Sequence, residues 1–239
     1  MNRREEEYPK VLVASPFNDR NIYNVKKWLE CITSFDYPHY NIYLIYVGFH
    51  EGVSYRYVKE KYPDIKLRFC QQLRNRHIYD AIAGVKNAII QEILCFDYDY
   101  WIKIDPDTLL PKNTISRFVG YDKDMVSALS FLGYLHETFP WVLKSGRNIA
   151  NKNFPYDNYT REEIDEYRNN HRDRLMSCYF AGMGQTMIRR NVLEEIHFRN
   201  ILYDFALDIQ FAWQFNLNGF EGFVDLGIEA EHNPVPWDK

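Results

Sequence analysis

The sequence predicts an α/β protein whose mostly parallel central sheet is flanked by helices on both faces. Short apolar runs typical of buried strands alternate with helix-like segments through the first half of the chain, as in parallel sheets with crossover helices. The 239 residues are 46% hydrophobic, which is enough for a sizeable core in one domain. An acidic pair, Asp105-Pro106-Asp107, follows one of the apolar runs, where sheets of this class bind ligands.

Four strands and three helices are predicted in the first half. The first strand, residues 11–15, is an apolar run typical of a buried parallel strand and is expected to end at Pro16. The remaining strands are predicted over residues 42–47, 65–69 and 98–104. Apolar residues at helical spacing predict helices over residues 23–35, 53–62 and 79–94.

The second half has a weaker pattern. A strand is predicted over residues 125–131 and another over 179–188, around a glycine-rich kink. Short helices are expected at 192–196 and 205–216. Residues 144–174 are polar, and within them Thr160-Arg161-Glu162-Glu163 fits a capping box that opens a short helix. The rest of that stretch is expected to be a mobile loop, which in compact domains is often a lid.

Composition restricts the class of protein. The net charge of −4 argues against broad binding to nucleic acid. The four cysteines, at positions 31, 70, 95 and 178, have no metal or redox spacing and are expected to be buried thiols in a reducing compartment. The polar start of the chain is not typical of a signal peptide, and no apolar run is long enough to span a membrane. A cytoplasmic protein is therefore expected, with peripheral association with a membrane left open.

The acidic pair is the strongest chemical signal. In extended geometry Asp105 and Asp107 would project to the same side, about 7 Å apart along the chain. Carboxylates this close repel one another unless a cation lies between them, and Mg²⁺ or Mn²⁺ prefers such oxygen ligands together with phosphate. The alternative is a solvated turn, because Asp and Pro are common turn residues.

Further motifs follow in a characteristic order. Ser15-Pro16-Phe17-Asn18 ends the first strand, and Ala83-Gly84-Val85-Lys86-Asn87 lies on the helix before the acidic pair. Phe180-Ala181-Gly182-Met183-Gly184 and Asp204-Phe205-Ala206-Leu207-Asp208 come after it. Together with the Asp-x-Asp motif, this series resembles a glycosyltransferase with the GT-A fold, closest in pattern to the large inverting family 2. The resemblance covers nearly the whole chain.

The resemblance implies a role for each motif. The transfer would be metal-dependent and hexosyltransferase-like, with a UDP- or GDP-sugar as donor and a carbohydrate, lipid-linked or protein acceptor. Residues 10–110 would form the nucleotide-sugar half of the single domain, 1–239, and residues 111–239 the acceptor half. Asp208 would be the general base. Donor contacts would come from Ser15, Pro16, Phe17, Asn18, Lys86, Asn87 and Asp105. The ligands of Mn²⁺ or Mg²⁺ would be Asp105, Asp107 and His232.

The chain also departs from this pattern. The second strand ends in Tyr46-Val47-Gly48 without the usual acid, so that Asp19, Asp80 or a backbone carbonyl would have to replace it. Asp204 is either a helix cap or an acid on the face of Asp208. His232 has two interpretations, a metal ligand or a surface histidine.

Two other functions remain open. A nucleotidyltransferase also places paired acids and a metal against phosphates, but residues 15–20 lack the glycines of its usual phosphate loop. A binding protein of the same fold that performs no chemistry is the second alternative. Intact Asp105, Asp107 and Asp208 argue against it.

Overall fold

The structure is a computed structural model that describes residues 8–72, 78–134, 137–145, 157–201 and 206–233. Its strands are β1 Val11–Phe17, β2 Tyr40–Gly48, β3 Lys66–Gln71, β4 Tyr100–Ile104, β5 Thr108–Leu109, β6 Met125–Leu129, β7 Phe131–Tyr134, β8 Glu137–Pro140, β9 Val142–Ser145, β10 Asp157–Asn158, β11 Leu175–Cys178, β12 Phe180–Ala181, β13 Gln185–Arg189, β14 Gly222–Glu229 and β15 Glu231–His232. Its helices are α1 Val25–Ile32, α2 Val53–Lys61, α3 Ile78–Cys95, α4 Thr114–Tyr121, α5 Arg161–Asn170, α6 Arg190–Glu195 and α7 Leu207–Leu217, with one 3₁₀ turn at Asp19–Asn21.

Eight strands form the central sheet in the order β11-β14-β6-β13-β4-β1-β2-β3. The pairs β3–β2, β2–β1, β1–β4 and β6–β14 are parallel, whereas β13 is antiparallel to both of its neighbours and β11 is antiparallel to β14. The predicted fold class, a mostly parallel sheet with helices on both faces, is confirmed.

The two faces of the sheet carry separate parts of the core because successive side chains of a strand point to opposite faces. On β4, Trp101 packs in the cluster beneath α3, α6 and α7, and Ile102 packs in the cluster beneath α1, α2 and α4. Trp101 also donates from Nε1 to the carbonyl of Ala14, 2.8 Å away, and Trp28 of α1 donates to the carbonyl of Ile104 at 3.2 Å. These bonds fix the ends of β1 and β4 relative to one another.

Several predicted boundaries were wrong. Strand β1 continues through Pro16 to Phe17. It pairs with β4 only as far as Val13, and its later residues, including Pro16, pair with β2 alone. The predicted strand 179–188 is two short strands in different sheets, β12 and β13, separated by the turn that contains Gly182 and Gly184. Helix α4 and strands β11 and β14 were not predicted.

The capping box at the start of α5 is confirmed. Thr160 Oγ1 accepts a hydrogen bond from the Glu163 amide at 3.2 Å, and Glu163 Oε2 accepts one from the Thr160 amide at 2.7 Å. Lys144 on β9 lies 2.6 Å from Glu163, and Ile164 is fully buried. The capping box therefore opens a helix as predicted, and Ile164 packs α5 against the core; residues 146–156 of the polar stretch lie outside the described residues.

Two further expectations are answered by the described residues. All four cysteines are free thiols, but only Cys178 is buried; Cys31 and Cys70 are half-buried and Cys95 is exposed, so the expected burial was wrong for three of them. None of the described helices combines the length and the apolar composition that crossing a bilayer requires.

A buried carboxylate on β14 fastens α4 to the sheet. Asp225 is fully buried, and its two oxygens accept hydrogen bonds from Arg117 Nε at 2.5 Å and Nη2 at 2.8 Å. The same carboxylate accepts hydrogen bonds from the Tyr121 hydroxyl at 3.0 Å and the Gly227 amide at 2.8 Å. Every hydrogen-bonding position of the carboxylate is therefore used, as burial of a charge demands.

We expect Asp225→Ala to lower the free energy of unfolding by about 3 kcal/mol, because it leaves the Arg117 guanidinium without its buried counter-charge. Urea denaturation followed by circular dichroism measures the change. Asp165→Ala is the control, since Asp165 and Arg168 form an exposed pair at 3.6 Å whose loss should cost less than about 0.5 kcal/mol. Equal effects of the two substitutions would contradict this account.

Candidate functional site

A cavity of about 360 Å³ lies where the carboxyl ends of β1 and β4 meet α3 and the first turn of α7. Its charged lining residues are Lys86, Lys103, Asp105 and Asp208. A larger cavity of about 1060 Å³ lies at the opposite edge of the sheet, at the amino ends of β1, β2 and β4. Ligands of open α/β sheets bind at the carboxyl ends of the strands, so the smaller cavity is the candidate site.

The acidic pair does not have the predicted extended geometry. Strand β4 ends at Ile104, and the Thr108 amide donates to the carbonyl of Asp105 at 2.9 Å, which closes a turn around Pro106. The fixed φ of proline suits the second position of such a turn. Asn24 Nδ2 donates to the carbonyl of Pro106 at 2.8 Å and holds the turn. The two carboxylates consequently contact different partners.

Asp107 lies beside His232, although the two residues are far apart in the sequence. Strand β15 pairs with β5, so that His232 is opposite Thr108, and the Asn233 amide donates to the carbonyl of Asp107 at 2.7 Å. His232 Nε2 lies 3.6 Å from Asp107 Oδ2. The Asp107 carboxylate raises the pKa of His232. His232 is therefore part of the site region rather than an isolated surface histidine.

Two buried lysines neutralise the other acids. The Lys103 ammonium contacts Asp105 Oδ1, and Lys86 Nζ lies 2.5 Å from Asp208 Oδ1. Lys103 and Lys86 are only 3% and 4% exposed, so each ammonium needs the carboxylate beside it. Lys103 was missed in the sequence, although a lysine inside the apolar run of a central strand is itself a signal of a buried charge pair.

The pKa values in this cluster reflect both burial and charge. Burial lowers the pKa of Lys86, and attraction to Asp208 only partly offsets that effect. Burial also acts to lower the pKa of Lys103, but Asp105 and Asp208 outweigh it and raise that pKa. Burial acts to raise the pKa of Asp208, but Lys86 and Lys103 outweigh it, so that this pKa lies below its ordinary value. Asp208 is therefore an anion at neutral pH.

Gly184 fixes the position of Asp105 from the other side. Its carbonyl accepts a hydrogen bond from the Asp105 amide at 2.8 Å. A Cβ atom at position 184 would lie 2.8 Å from Asp105 Oδ2, closer than real side chains approach. The glycine-bearing segment found in the sequence therefore contacts the acid of β4 directly.

The end of β1 and the residue after it border the cavity. Pro16, Phe17 and Asn18 line it. The side chain of Asn18 also caps the 3₁₀ turn by accepting from the Arg20 amide at 2.9 Å. The Ser15 hydroxyl instead joins two strands.

Two predicted donor contacts have structural partners instead. Ser15 Oγ donates to the carbonyl of Ile104 at 2.7 Å and accepts from its amide at 3.0 Å, and Ser15 is buried. Asn87 exchanges two hydrogen bonds with the backbone of Phe198, at 2.9 and 2.8 Å, outside the cavity. Lys86 and Asp105 both line the cavity, and their contacts with a donor stay predictions.

The two acids suggested as replacements for the missing acid of the second strand already have hydrogen-bond partners elsewhere. Asp19 accepts hydrogen bonds from the amides of Val53 and Ser54, at 3.2 and 2.9 Å, at the start of α2. Asp80 accepts one from Asn200 Nδ2 at 3.0 Å. Val47 and Gln72, which sequence reasoning did not single out, line that side of the cavity. Asp204 lies outside the described residues.

The donor set near the acidic turn fits a divalent cation only in part. Among the described residues, no three His, Cys, Asp or Glu side chains gather closely enough to hold a metal ion. Asp107 and His232 supply one carboxylate and one imidazole, and neighbouring ligands of an ion with bonds of about 2.1 Å are roughly 3 Å apart. Their 3.6 Å separation is close to that spacing, so the pair fits an ion that takes its other ligands from phosphate and water.

Comparison with known proteins identifies the fold. Neither protein-family models nor curated protein sequences match the chain. GalNAc-T7, solved with UDP, GalNAc and Mn²⁺, matches with a TM-score of 0.64 and 11% identity over 95% of this chain and 44% of that one. The mannosyltransferase PcManGT from Pyrobaculum calidifontis, in complex with GDP-Man and Mn²⁺, matches with a TM-score of 0.60 and 15% identity, over 98% of this chain and 59% of that one.

A third solved structure gives the same result. TarS 1–349 from S. aureus, in complex with UDP-GlcNAc, matches with a TM-score of 0.59 and 14% identity over 95% of this chain and 60% of that one. The chain thus spans 44% to 60% of the length of these three structures. At such low identity the likeness establishes the fold alone, and the fold is the GT-A type that the sequence predicted.

We expect Lys86→Met to raise the pKa of Asp208, because the buried carboxylate keeps its desolvation but loses its nearest cation. A titration followed by NMR of the Asp208 side-chain carbon measures this shift. Lys66→Met is the control, since Lys66 pairs with Glu92 at 2.5 Å away from the cavity and should leave Asp208 unaffected. The account fails if Asp208 titrates identically in Lys86→Met and the parent.

Proposed function

We propose that this protein is a metal-dependent glycosyltransferase that moves a sugar from a nucleotide-diphosphate donor to an acceptor hydroxyl, with inversion. The observation that carries the proposal is the cavity at the strand ends of a GT-A fold, which has two buried ammonium groups, Lys86 and Lys103, on its wall. The Asp107–His232 pair lies on the chain segments that follow β4 and β14. A diphosphate needs cationic partners of this kind.

The donor would bind along the carboxyl end of β1. Pro16, Phe17 and Asn18 border the cavity on that side, and Val47 and Gln72 extend it toward β3. UDP or GDP is the proposed nucleotide, which is supported by the UDP, UDP-GlcNAc and GDP-Man bound in structural neighbours. Lys86 and Lys103 would attract the phosphates, although each must share its charge with a carboxylate.

Asp107 and His232 would hold Mn²⁺ or Mg²⁺, with Asp105 as a further candidate ligand. Such an ion, when bound, neutralises negative charge that gathers on the departing nucleoside diphosphate. Mn²⁺ accompanies the nucleotide in two of the structural neighbours, and a nitrogen ligand favours it over Mg²⁺. Asp107 would hold this ion in the turn after β4.

Asp208 is the proposed general base. Lys86 holds its Oδ1, while Oδ2 has no hydrogen-bond partner among the described residues and is available to an acceptor hydroxyl. Its side chain is 31% exposed, and it lies in the first turn of α7, where the helix dipole favours an anion. As the hydroxyl oxygen bonds to the anomeric carbon, its proton would pass to Oδ2. The nucleoside diphosphate would leave from the opposite face of the anomeric carbon, and such a direct displacement inverts its configuration.

The first experiment is a thermal-shift screen of UDP-, GDP- and dTDP-sugars with and without Mn²⁺, followed by donor hydrolysis. A working transferase releases its sugar slowly to water when the acceptor is missing. Stabilisation by a nucleotide sugar with metal-dependent hydrolysis supports the proposal. Binding without any hydrolysis or transfer to carbohydrate, lipid-linked or protein acceptors would favour a binding protein instead.

We expect Asp107→Ala to abolish Mn²⁺-dependent nucleotide binding and turnover, because it removes the carboxylate of the two-residue metal site. Isothermal calorimetry with the nucleotide selected by the screen, with and without Mn²⁺, gives the binding result. Asp165→Ala, on the exposed face of α5, is the charge-matched control and should behave as the parent. Unchanged metal-dependent binding in Asp107→Ala would refute the assignment.

We expect Asp208→Asn to cut turnover by roughly 10² or more, the share of a general base, with nucleotide affinity nearly intact. Steady-state kinetics and calorimetry separate the two quantities, and a thermal melt checks that Lys86 tolerates an amide partner. Transfer at the parent rate in a folded Asp208→Asn protein would exclude Asp208 as the base.

A further inference from the structure

Asp105 already contacts a cationic side chain of the same chain segment, Lys103. Lys103 and Asp105 are two residues apart at the end of β4, and the Lys103 ammonium contacts Asp105 Oδ1. The Lys103 side chain is 4% exposed and the Asp105 side chain 37%, so the ammonium is enclosed while the carboxylate borders the cavity. The charge that a metal ion would bring to this carboxylate is thus supplied by the protein.

We infer that Lys103 is a resident cation that withholds Asp105 from the metal in the donor-free protein. Free Mn²⁺ would then bind through Asp107 and His232 only, and weakly. The inference rests on the proposed function, since it concerns the metal of that same site. It assigns Lys103 as a positioning residue, acting through Asp105.

The neighbouring residues keep this arrangement in place. Lys86 cannot replace Lys103 easily, because Asp208 holds it at 2.5 Å. On the other side of Asp105, the space at Gly184 is so small that even a Cβ would lie 2.8 Å from Oδ2. Asp105 therefore has an ammonium on one side and a backbone segment on the other, while the turn at Pro106 directs Asp107 to His232.

The same arrangement explains why the described residues offer no three-ligand metal group, although two acids of an Asp-x-Asp motif and a histidine lie close in the fold. It also gives the donor a part in loading the site. A diphosphate entering the cavity would offer Lys103 new anionic partners, and Asp105 would then be released toward the ion.

The test measures binding of Mn²⁺ alone, by electron paramagnetic resonance of the free ion, in a double-mutant cycle. Asp105→Asn should change the Mn²⁺ affinity of the parent by less than about twofold, because Asp105 is not a ligand there. Lys103→Met should tighten Mn²⁺ binding about tenfold, the scale on which residues next to a metal site act. Combining Lys103→Met with Asp105→Asn should return the affinity to the parent value.

Lys86→Met is the matched control, because it removes an equal charge from the same cavity while leaving the Lys103–Asp105 pair intact. Its effect should be clearly smaller than that of Lys103→Met, within about threefold. An equal gain would mean that both lysines merely repel the ion, and the inference would be overturned. It would also be overturned if Asp105→Asn weakened Mn²⁺ binding of the parent about tenfold.

The Asp105→Asn measurement decides the question alone if circular dichroism shows that Lys103→Met does not fold. The outcome is also independent of sugar transfer. Loss of the proposed function with the cycle intact would leave Lys103 as the resident cation of a metal-binding protein. Sugar transfer with no coupling between Lys103 and Asp105 would leave the function standing and overturn this inference.

Discussion

The pairing of buried ammonium groups with carboxylates at the end of β4 is the interaction on which the site depends. Lys103 and Lys86 are almost completely buried, and each is tolerated only because Asp105 or Asp208 lies against it. The Lys86–Asp208 pair joins α3 to α7, which are distant in sequence, whereas the Lys103–Asp105 pair lies at the end of β4. The cavity is thus electrically balanced in the free protein, and an anionic ligand must compete for cations that are already engaged.

The turn at Pro106 separates the duties of two acids that look equivalent in the sequence. Asp105 stays with the sheet and its lysine, whereas Asp107 leaves the strand and reaches a histidine of β15. The turn is held by Asn24 and closed by a backbone bond from Thr108 to Asp105. One acid of the motif can therefore pair with a lysine of the protein, while the other is left for an exchangeable metal ion.

Much of the fold follows from the sequence, since apolar runs and helical spacing identified β1 to β4 and helices α1 to α3. Strand β14 was missed because Asp225 and Gly227 interrupt its apolar pattern, and the burial of Asp225 depends on Arg117 from a distant helix. Of the residues singled out in the sequence, Asp208 lines the cavity and Asp107 lies beside His232, while the roles assigned to them stay predictions. The extended geometry of the acidic pair was wrong, because local spacing does not reveal that Thr108 bonds back to Asp105. Lys103 was missed although its partner Asp105 is only two residues away, because its burial depends on the elements packed around the end of β4.

The attachment of β15 to β5 has a consequence for how the protein matures. Asp107 leaves the ribosome well before His232, because the two residues are far apart in the sequence. The two side chains become neighbours only when β15 docks on β5, so a growing chain lacks this pair until β15 has been made. Any cation that bridges the pair would bind the docked form in preference, and it would fasten this late-made strand to the first-made half of the domain.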